Sequence, residues 1–76
     1  MERKNAGYKI ISTFLFARSA DGATYEIVLG ENARGNFVTW ECKDGINYYW
    51  GHYFETIDHA RADFLGRCHA NFNPER

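Results

Sequence analysis

A chain of 76 residues has the size of one small domain, which can bury only about 60 % of the surface that its unfolded form exposes. Nine basic and ten acidic residues are mixed along it and leave a net charge of −1, which argues against a strong positive field for nucleic acid or an anionic membrane. Six Phe, five Tyr and two Trp make up 17 % of the residues, so aromatic rings must supply much of the packing. We expect a single domain over residues 1–76, with an ordered core over about residues 8–72.

Four runs rich in β-branched and aromatic residues follow one another along the chain. The Asp21-Gly22 pair after the first run favours a hairpin turn. Two glycines and two asparagines, in the segment 30–36, supply a longer loop after the second run. The order predicts an antiparallel meander of four strands. The predicted strands are residues 8–17, 24–29, 36–42 and 46–54.

A helical period follows the last strand. Thr56 is a suitable N-cap, Asp58 suits the positive end of the helix, and Asn73-Pro74 is a stop signal. The sequence therefore predicts an α+β fold, in which one C-terminal helix packs on one face of the four-stranded sheet. The apolar positions of the helix are Ile57, Ala60, Phe64, Leu65, Cys68 and Phe72.

The turn before the last strand determines which of its aromatic side chains face the helix. A two-residue loop would place Asn47 and Gly51 on the apolar side of the strand pair. A three-residue loop over residues 43–45 places Cys42 opposite Ile46 instead. Because a slip of one residue inverts every side chain, we prefer the second register, which separates apolar from polar residues.

In this register both tryptophans, Trp40 and Trp50, belong to the core beneath the helix. His52 lies on the same side, between Trp50 and Phe54, where a neutral, hydrogen-bonded imidazole is the default interpretation. Helix residues and the first two strands complete the predicted core. These core residues are Phe14, Phe16, Tyr25, Ile27, Leu29, Ile57, Phe64, Leu65 and Cys68.

The other face of the sheet is expected to lie in water, as in many open antiparallel sheets. Exposed aromatic anchors within a polar rim are typical of protein-binding surfaces, including those of homodimers. Single-stranded nucleic acid, stacked on the same rings, is an alternative ligand, although a positive groove is missing. A third interpretation is that the tyrosines only stiffen the sheet by cross-strand pairing. The predicted binding residues are Tyr49, Tyr53, Phe37, Thr39 and Glu41.

No pattern in the sequence indicates catalysis, a cofactor or a metal. The cysteines and histidines lack the spacing of a known zinc site, and the adjacent pair Cys68-His69 would point about 100° apart on a helix. No thiol or hydroxyl has an evident base and orienting group beside it. The zinc candidates considered are Cys42, His52, His59, Cys68 and His69.

The two cysteines, Cys42 and Cys68, could form one disulfide, but we prefer two reduced thiols in a cytoplasmic protein, because a single pair falls short of a disulfide framework. The apolar run 10–17 after Glu2-Arg3-Lys4 imitates an export signal poorly, since it is short and contains Ser12 and Thr13. No apolar stretch approaches the roughly 20 residues that span a bilayer, so we expect no membrane partner.

Three segments carry a resemblance to a known group of sequences: "YEIVLG", "FVTWECKDGINYYWGHYF" and "DHARADFLGR". Over roughly residues 24–67 the chain resembles small uncharacterised bacterial proteins, found alone or linked to mobile-element genes. Their shared pattern is a Thr-Trp strand, an Asp-Gly turn and a Tyr-Trp-Gly-His-Tyr-Phe strand. The resemblance implies a cytoplasmic accessory or regulatory protein and assigns no functional residue.

Overall fold

The computed structural model of the protein describes residues 2–72. Their strands pair antiparallel in chain order, and one helix packs on the resulting sheet. The predicted α+β fold with a C-terminal helix is confirmed, but the sheet has five strands and the prediction of four was wrong. The elements are β1 (Lys4–Asn5), β2 (Tyr8–Arg18), β3 (Thr24–Glu31), β4 (Phe37–Lys43), β5 (Asn47–Phe54) and α1 (Ile57–Asn71).

The additional strand, β1, forms because the chain reverses at Ala6 and Gly7. Both residues have positive φ angles, 52° and 84°, as in the tight two-residue hairpins that match the twist of a sheet. The amide of Ile10 donates to the carbonyl oxygen of Arg3 at 2.8 Å, which fastens the segment before β1 to β2. Alanine has no preference for this conformation, so the polar N-terminal segment carried no strand signal.

The two central strands are buried on both sides. Residues 27–30 of β3 and 37–40 of β4 are all buried, so neither strand shows the alternation that would reveal which side α1 covers. The structure places α1 on the side of Ile27, Leu29 and Phe37. The prediction for β3 was therefore correct. The prediction for β4 was wrong: Phe37 and Thr39 face the helix, and the predicted residues Val38, Trp40 and Cys42 face away from it.

A second apolar cluster lies on the side of the sheet away from α1. Trp40, predicted to contact the helix, is 4 % exposed in this cluster. Within residues 2–72 no helix covers this cluster, and aromatic side chains from β2 and β5 pack against it instead. The cluster consists of Val28, Val38, Trp40 and Cys42, with Tyr8, Ile10 and Tyr48 packed against it.

Neither predicted register of the last two strands is observed. Cys42 lies opposite Tyr48, and the loop comprises residues 44–46. The backbone amide of Asp44 donates to the carbonyl oxygen of Thr24 at 2.9 Å, and the amide of Thr24 donates to Asp44 Oδ1 at 3.0 Å. These hydrogen bonds hold the loop against the start of β3, a contact that local turn patterns do not reveal.

A β-bulge interrupts the pairing of β4 with β5. One residue, Trp40, faces two residues, Trp50 and Gly51, and Trp50 has a φ angle of 53°. An extra residue reverses the alternation of the strand that follows it. As a result Tyr49 and Tyr53, predicted to share a face, lie on opposite sides of the sheet.

Helix α1 begins as predicted. The hydroxyl oxygen of Thr56 accepts a hydrogen bond from the backbone N–H three residues later, and Ala60 and Phe64 are buried against the sheet. Leu65 was predicted to contact the core and is instead 57 % exposed. The stop signal Asn73-Pro74 lies outside the described residues.

The two cysteines are unpaired and lie on different sides of the sheet. Cys42 is buried away from α1, and Cys68 lies on the helix against the other side. Burial is the main cause that raises the pKa of both thiols. The sheet between them rules out a disulfide within this fold.

No helix among residues 2–72 combines the length and the apolar character needed to cross a membrane.

Candidate functional site

The five predicted binding residues do not form one exposed face. Phe37 is 8 % exposed and Thr39 is fully buried, because both lie beneath α1. Tyr53 lies on the other side of the sheet, where it is 59 % exposed. The structure brings together only Tyr49 and Glu41, which pair across β5 and β4. The geometry assumed for the predicted site was therefore wrong for three of its five residues.

Thr39 belongs to a network that fastens α1 to the sheet. Its hydroxyl donates to Asp63 Oδ2 at 2.5 Å, and Arg67 Nη1 donates to the hydroxyl oxygen and to the carbonyl oxygen of Thr39 at 3.0 and 3.2 Å. His52 Nδ1 lies 3.0 Å from the same carboxylate. His52 thus faces the helix side as predicted, but it contacts Asp63 at the surface and its side chain is 52 % exposed.

The residues Tyr49, Trp50 and Glu41 form a surface cluster that we call the open corner. The ring of Trp50 packs against the ring of Tyr49, with 5.1 Å between centroids and 85° between planes. The hydroxyl of Tyr49 donates to Glu41 Oε1 at 3.4 Å. Tyr49 therefore contacts both other members: its ring packs against the indole and its hydroxyl donates to the carboxylate.

The exposure of Trp50 follows from the bulge. A Cβ atom on Gly51 would lie 2.8 Å from Trp40 Nε1 and 3.0 Å from Tyr53 Oη, so the backbone passes directly over the buried indole. The extra residue before this close approach has no room beside Trp40 and projects into solvent. Trp50 was predicted to belong to the core and is instead 68 % exposed.

Electrostatics at the open corner disfavour a second negative charge. Burial raises the pKa of Tyr49, and the neighbouring carboxylate of Glu41 raises it further. No ion pair reaches Glu41 from within residues 2–72. A carboxylate without a charged partner favours a cation beside it.

More aromatic surface continues beyond the open corner, one cross-strand pair farther along. Tyr25 pairs with Lys43, whose Nζ lies 5.9 Å from the centre of the Tyr25 ring. The ring of Phe16 packs against the ring of Tyr25, with 6.4 Å between centroids. All three side chains are half-buried.

The opposite side of the sheet holds a closed counterpart, the residues Arg3, Glu26, Tyr48 and Trp40, which we call the closed corner. Arg3 Nη2 donates to Glu26 Oε1 at 2.7 Å and to the hydroxyl oxygen of Tyr48 at 3.0 Å. The guanidinium carbon lies 5.7 Å from the centre of the Tyr48 ring. These interactions raise the pKa of Arg3, with the hydrogen bond to Glu26 as the largest cause.

Sequence reasoning missed Arg3 and misplaced Trp50. Arg3 gave no signal, because its contacts are with residues that are distant along the chain. For Trp50 a signal was present: an isolated glycine within a strand pattern, here Gly51, is typical of a bulge.

Within the part of the chain that the structure describes, no three His, Cys, Asp or Glu side chains lie close enough together to hold a metal ion. Comparison of the whole chain with protein-family models, with curated proteins and with solved structures finds no match. The functional argument therefore rests on the open corner itself.

Proposed function

We propose that this protein is a non-catalytic binding domain and that the open corner is its contact surface for another protein. The observation that supports this function is Trp50, a large aromatic residue held in a left-handed backbone conformation and exposed to solvent. Such a conformation costs roughly 1–3 kcal/mol for a residue other than glycine. Because Trp50 is mostly exposed, apolar burial offsets little of this cost. The fold alone therefore does not account for a tryptophan at this position.

The residue types of the open corner fit protein recognition. Tryptophan and tyrosine carry a large share of the binding energy in many protein interfaces, where they insert into pockets of the partner. A partner protein that covers Trp50 would recover the apolar burial that the free domain lacks. A second copy of this chain is included among such partners.

A single-stranded nucleic acid is the alternative ligand. Lys43 beside the Tyr25 ring offers a cation next to an aromatic surface, which is the combination that base stacking and phosphate contact require. Against it, the net charge is −1 and the carboxylate of Glu41 lies beside the half-buried ring of Tyr49. We therefore favour the protein partner. The proposal includes an accessory or regulatory role in the cytoplasm, a compartment in which two thiols without a disulfide are usual.

The variant Trp50→Asn separates binding from folding. Asparagine adopts the left-handed conformation more readily than tryptophan does, so the free energy of unfolding should stay unchanged or rise by up to about 1 kcal/mol. Peptides selected from a random display library against the immobilised wild-type protein should bind Trp50→Asn about tenfold more weakly. Ile46→Asn is the matched control, because Ile46 is an exposed apolar residue beside β5 and outside the open corner.

Two other experiments test the competing ligands. A fluorescent oligothymidine is titrated into the protein at several salt concentrations. If it binds more tightly than any selected peptide and its affinity falls steeply with salt, the ligand is nucleic acid and the proposed protein partner is refuted. Sedimentation equilibrium of the wild type and of Trp50→Asn would identify a second copy as the partner, if dimerisation is lost in the variant. Selected peptides that bind Trp50→Asn as tightly as the wild type would overturn the proposal.

A further inference from the structure

The closed corner shows how this sheet holds an arginine. A tyrosine and a glutamate, Tyr48 and Glu26, contact the guanidinium of Arg3 directly. Behind them Trp40 packs against Tyr48, with 5.4 Å between ring centroids and 62° between planes. Arg3 Nη2 also donates to the carbonyl oxygen of Gly45 at 3.4 Å and to Cys42 Sγ at 3.6 Å. One side of the sheet therefore holds an arginine between a glutamate and a tyrosine, and the tryptophan supports the tyrosine from behind.

The open corner repeats these three residue types on the other side of the sheet. Tyr49 and Trp50 meet at 5.1 Å and 85°, and Glu41 accepts the hydrogen bond of the Tyr49 hydroxyl. No arginine or lysine within residues 2–72 forms an ion pair with Glu41, in contrast to Glu26. Glu41 Oε2 accepts no hydrogen bond from that part of the chain either.

We infer that the open corner binds a guanidinium group, presented by an arginine side chain of a partner protein. This inference rests on the proposed function and names the chemical group that the partner contributes. A guanidinium is planar and weakly hydrated, so it can stack on the exposed indole of Trp50 while its N–H groups reach the carboxylate of Glu41. Charge complementarity selects a cation, and the closed corner shows that a glutamate and an aromatic ring of this sheet can hold a guanidinium between them.

Other cations fit the open corner less well. A lysine ammonium is compact and strongly hydrated, so stacking on an indole removes more of its solvation. A quaternary ammonium has no N–H group and cannot donate to Glu41.

The probes are N-acetyl-arginine amide and N-acetyl-citrulline amide, which share a planar end group and differ in charge. Each is titrated into the isotope-labelled protein, and the indole N–H resonance of Trp50 is followed. We expect saturable binding of the arginine probe in the millimolar range and about threefold to fivefold weaker binding of the citrulline probe. The corresponding lysine and trimethyl-lysine amides should bind more weakly than the arginine probe.

The variant Glu41→Gln should remove the preference for arginine over citrulline and leave the weak stacking of both. Glu55→Gln is the control, because Glu55 is an exposed glutamate directly after β5 and outside the open corner. The inference is overturned if citrulline binds as well as arginine, if Glu41→Gln keeps the preference, or if trimethyl-lysine binds most tightly.

The display selection separates this inference from the proposed function. Selected peptides that depend on Trp50 and contain a required arginine support both. Peptides that depend on Trp50 but tolerate replacement of every arginine would refute the inference that the open corner binds a guanidinium. The proposed protein-binding function of the open corner would still stand. Peptides that are insensitive to Trp50→Asn would refute the binding surface itself.

Discussion

Trp40 and Trp50 face each other across the same bulge, and yet one is 4 % exposed and the other 68 %. Their surroundings differ. The rings of Tyr8, Tyr48 and Tyr53 pack around the indole of Trp40, with 5.4 to 6.4 Å between centroids, whereas Tyr49 is the one ring that packs against Trp50 within the described part of the chain. The comparison teaches that burial of an aromatic residue in this small sheet depends on whether neighbouring strands supply covering side chains, more than on the residue type.

The two tryptophans should differ most in their contribution to stability. Trp40→Ala should lower the free energy of unfolding by about 3–5 kcal/mol, because it removes a large ring from a closely packed cluster. Trp50→Ala should change it by no more than roughly 0.5 kcal/mol. Urea denaturation followed by circular dichroism measures both. Equal losses for the two variants would show that Trp50 is buried in solution.

The two glutamates provide the next contrast. Arg3→Gln should cost about 1–3 kcal/mol, because it leaves the largely buried carboxylate of Glu26 without its charged donor. Glu41→Gln on the open side should stay within roughly 0.5 kcal/mol of the wild type. The same denaturation experiment tests this pair. A loss in Glu41→Gln as large as that in Arg3→Gln would indicate that Glu41 holds a cation of its own chain.

Two glycines test the close approach at the bulge. Gly51→Ala should destabilise the protein by about 1–3 kcal/mol, because its methyl group would lie 2.8 Å from Trp40 Nε1. Gly66→Ala should stabilise α1 by up to about 1 kcal/mol, since that position is open and helical. Thermal unfolding of both variants gives the comparison. A neutral Gly51→Ala would mean that β5 does not pass over Trp40.

The smallest effect concerns the titration of Tyr49. Its raised pKa means that the folded protein resists loss of the phenolic proton. The corresponding stability is present below the ordinary tyrosine value of about 10 and is lost as pH rises through the folded pKa. Tyr49→Phe should abolish this loss, and Glu41→Gln should reduce it. Ultraviolet difference titration of the wild type and both variants measures the shift.

The helix and the strands could be predicted from sequence, because their signals are local. Thr56 and the apolar period that follows it placed α1, and the four predicted strands match β2 to β5 to within two residues at each end. The side of the sheet under α1 could not be predicted for β4, because Phe37, Val38 and Trp40 are all apolar and all buried. The alternation of apolar and polar residues identifies the buried side of a strand only when its other side faces water, and β4 is buried on both sides.

The candidate site was predicted less well than the fold. Tyr49 and Glu41 were expected side by side and do lie together. Tyr53 was expected beside them, but the bulge reverses β5 after Trp50, and Phe37 and Thr39 were expected to be exposed, but α1 covers them. Arg3, which closes the other corner, contacts Tyr48 from 45 residues away along the chain. Contacts of this kind depend on the completed sheet and leave no trace in local periodicity.

The bulge at Trp50 and Gly51 also affects how this sheet can meet a second strand. β5 is the last strand in the sheet order, and its segment 47–54 contains no Asp, Glu, Lys or Arg that would repel a pairing strand. A left-handed residue in its middle breaks the regular row of backbone donors and acceptors, which is one of the ways in which natural sheets avoid edge-to-edge aggregation. The strand can therefore display an aromatic sequence in water while its backbone remains a poor template for strand pairing, so the binding proposed for the open corner would depend on side chains.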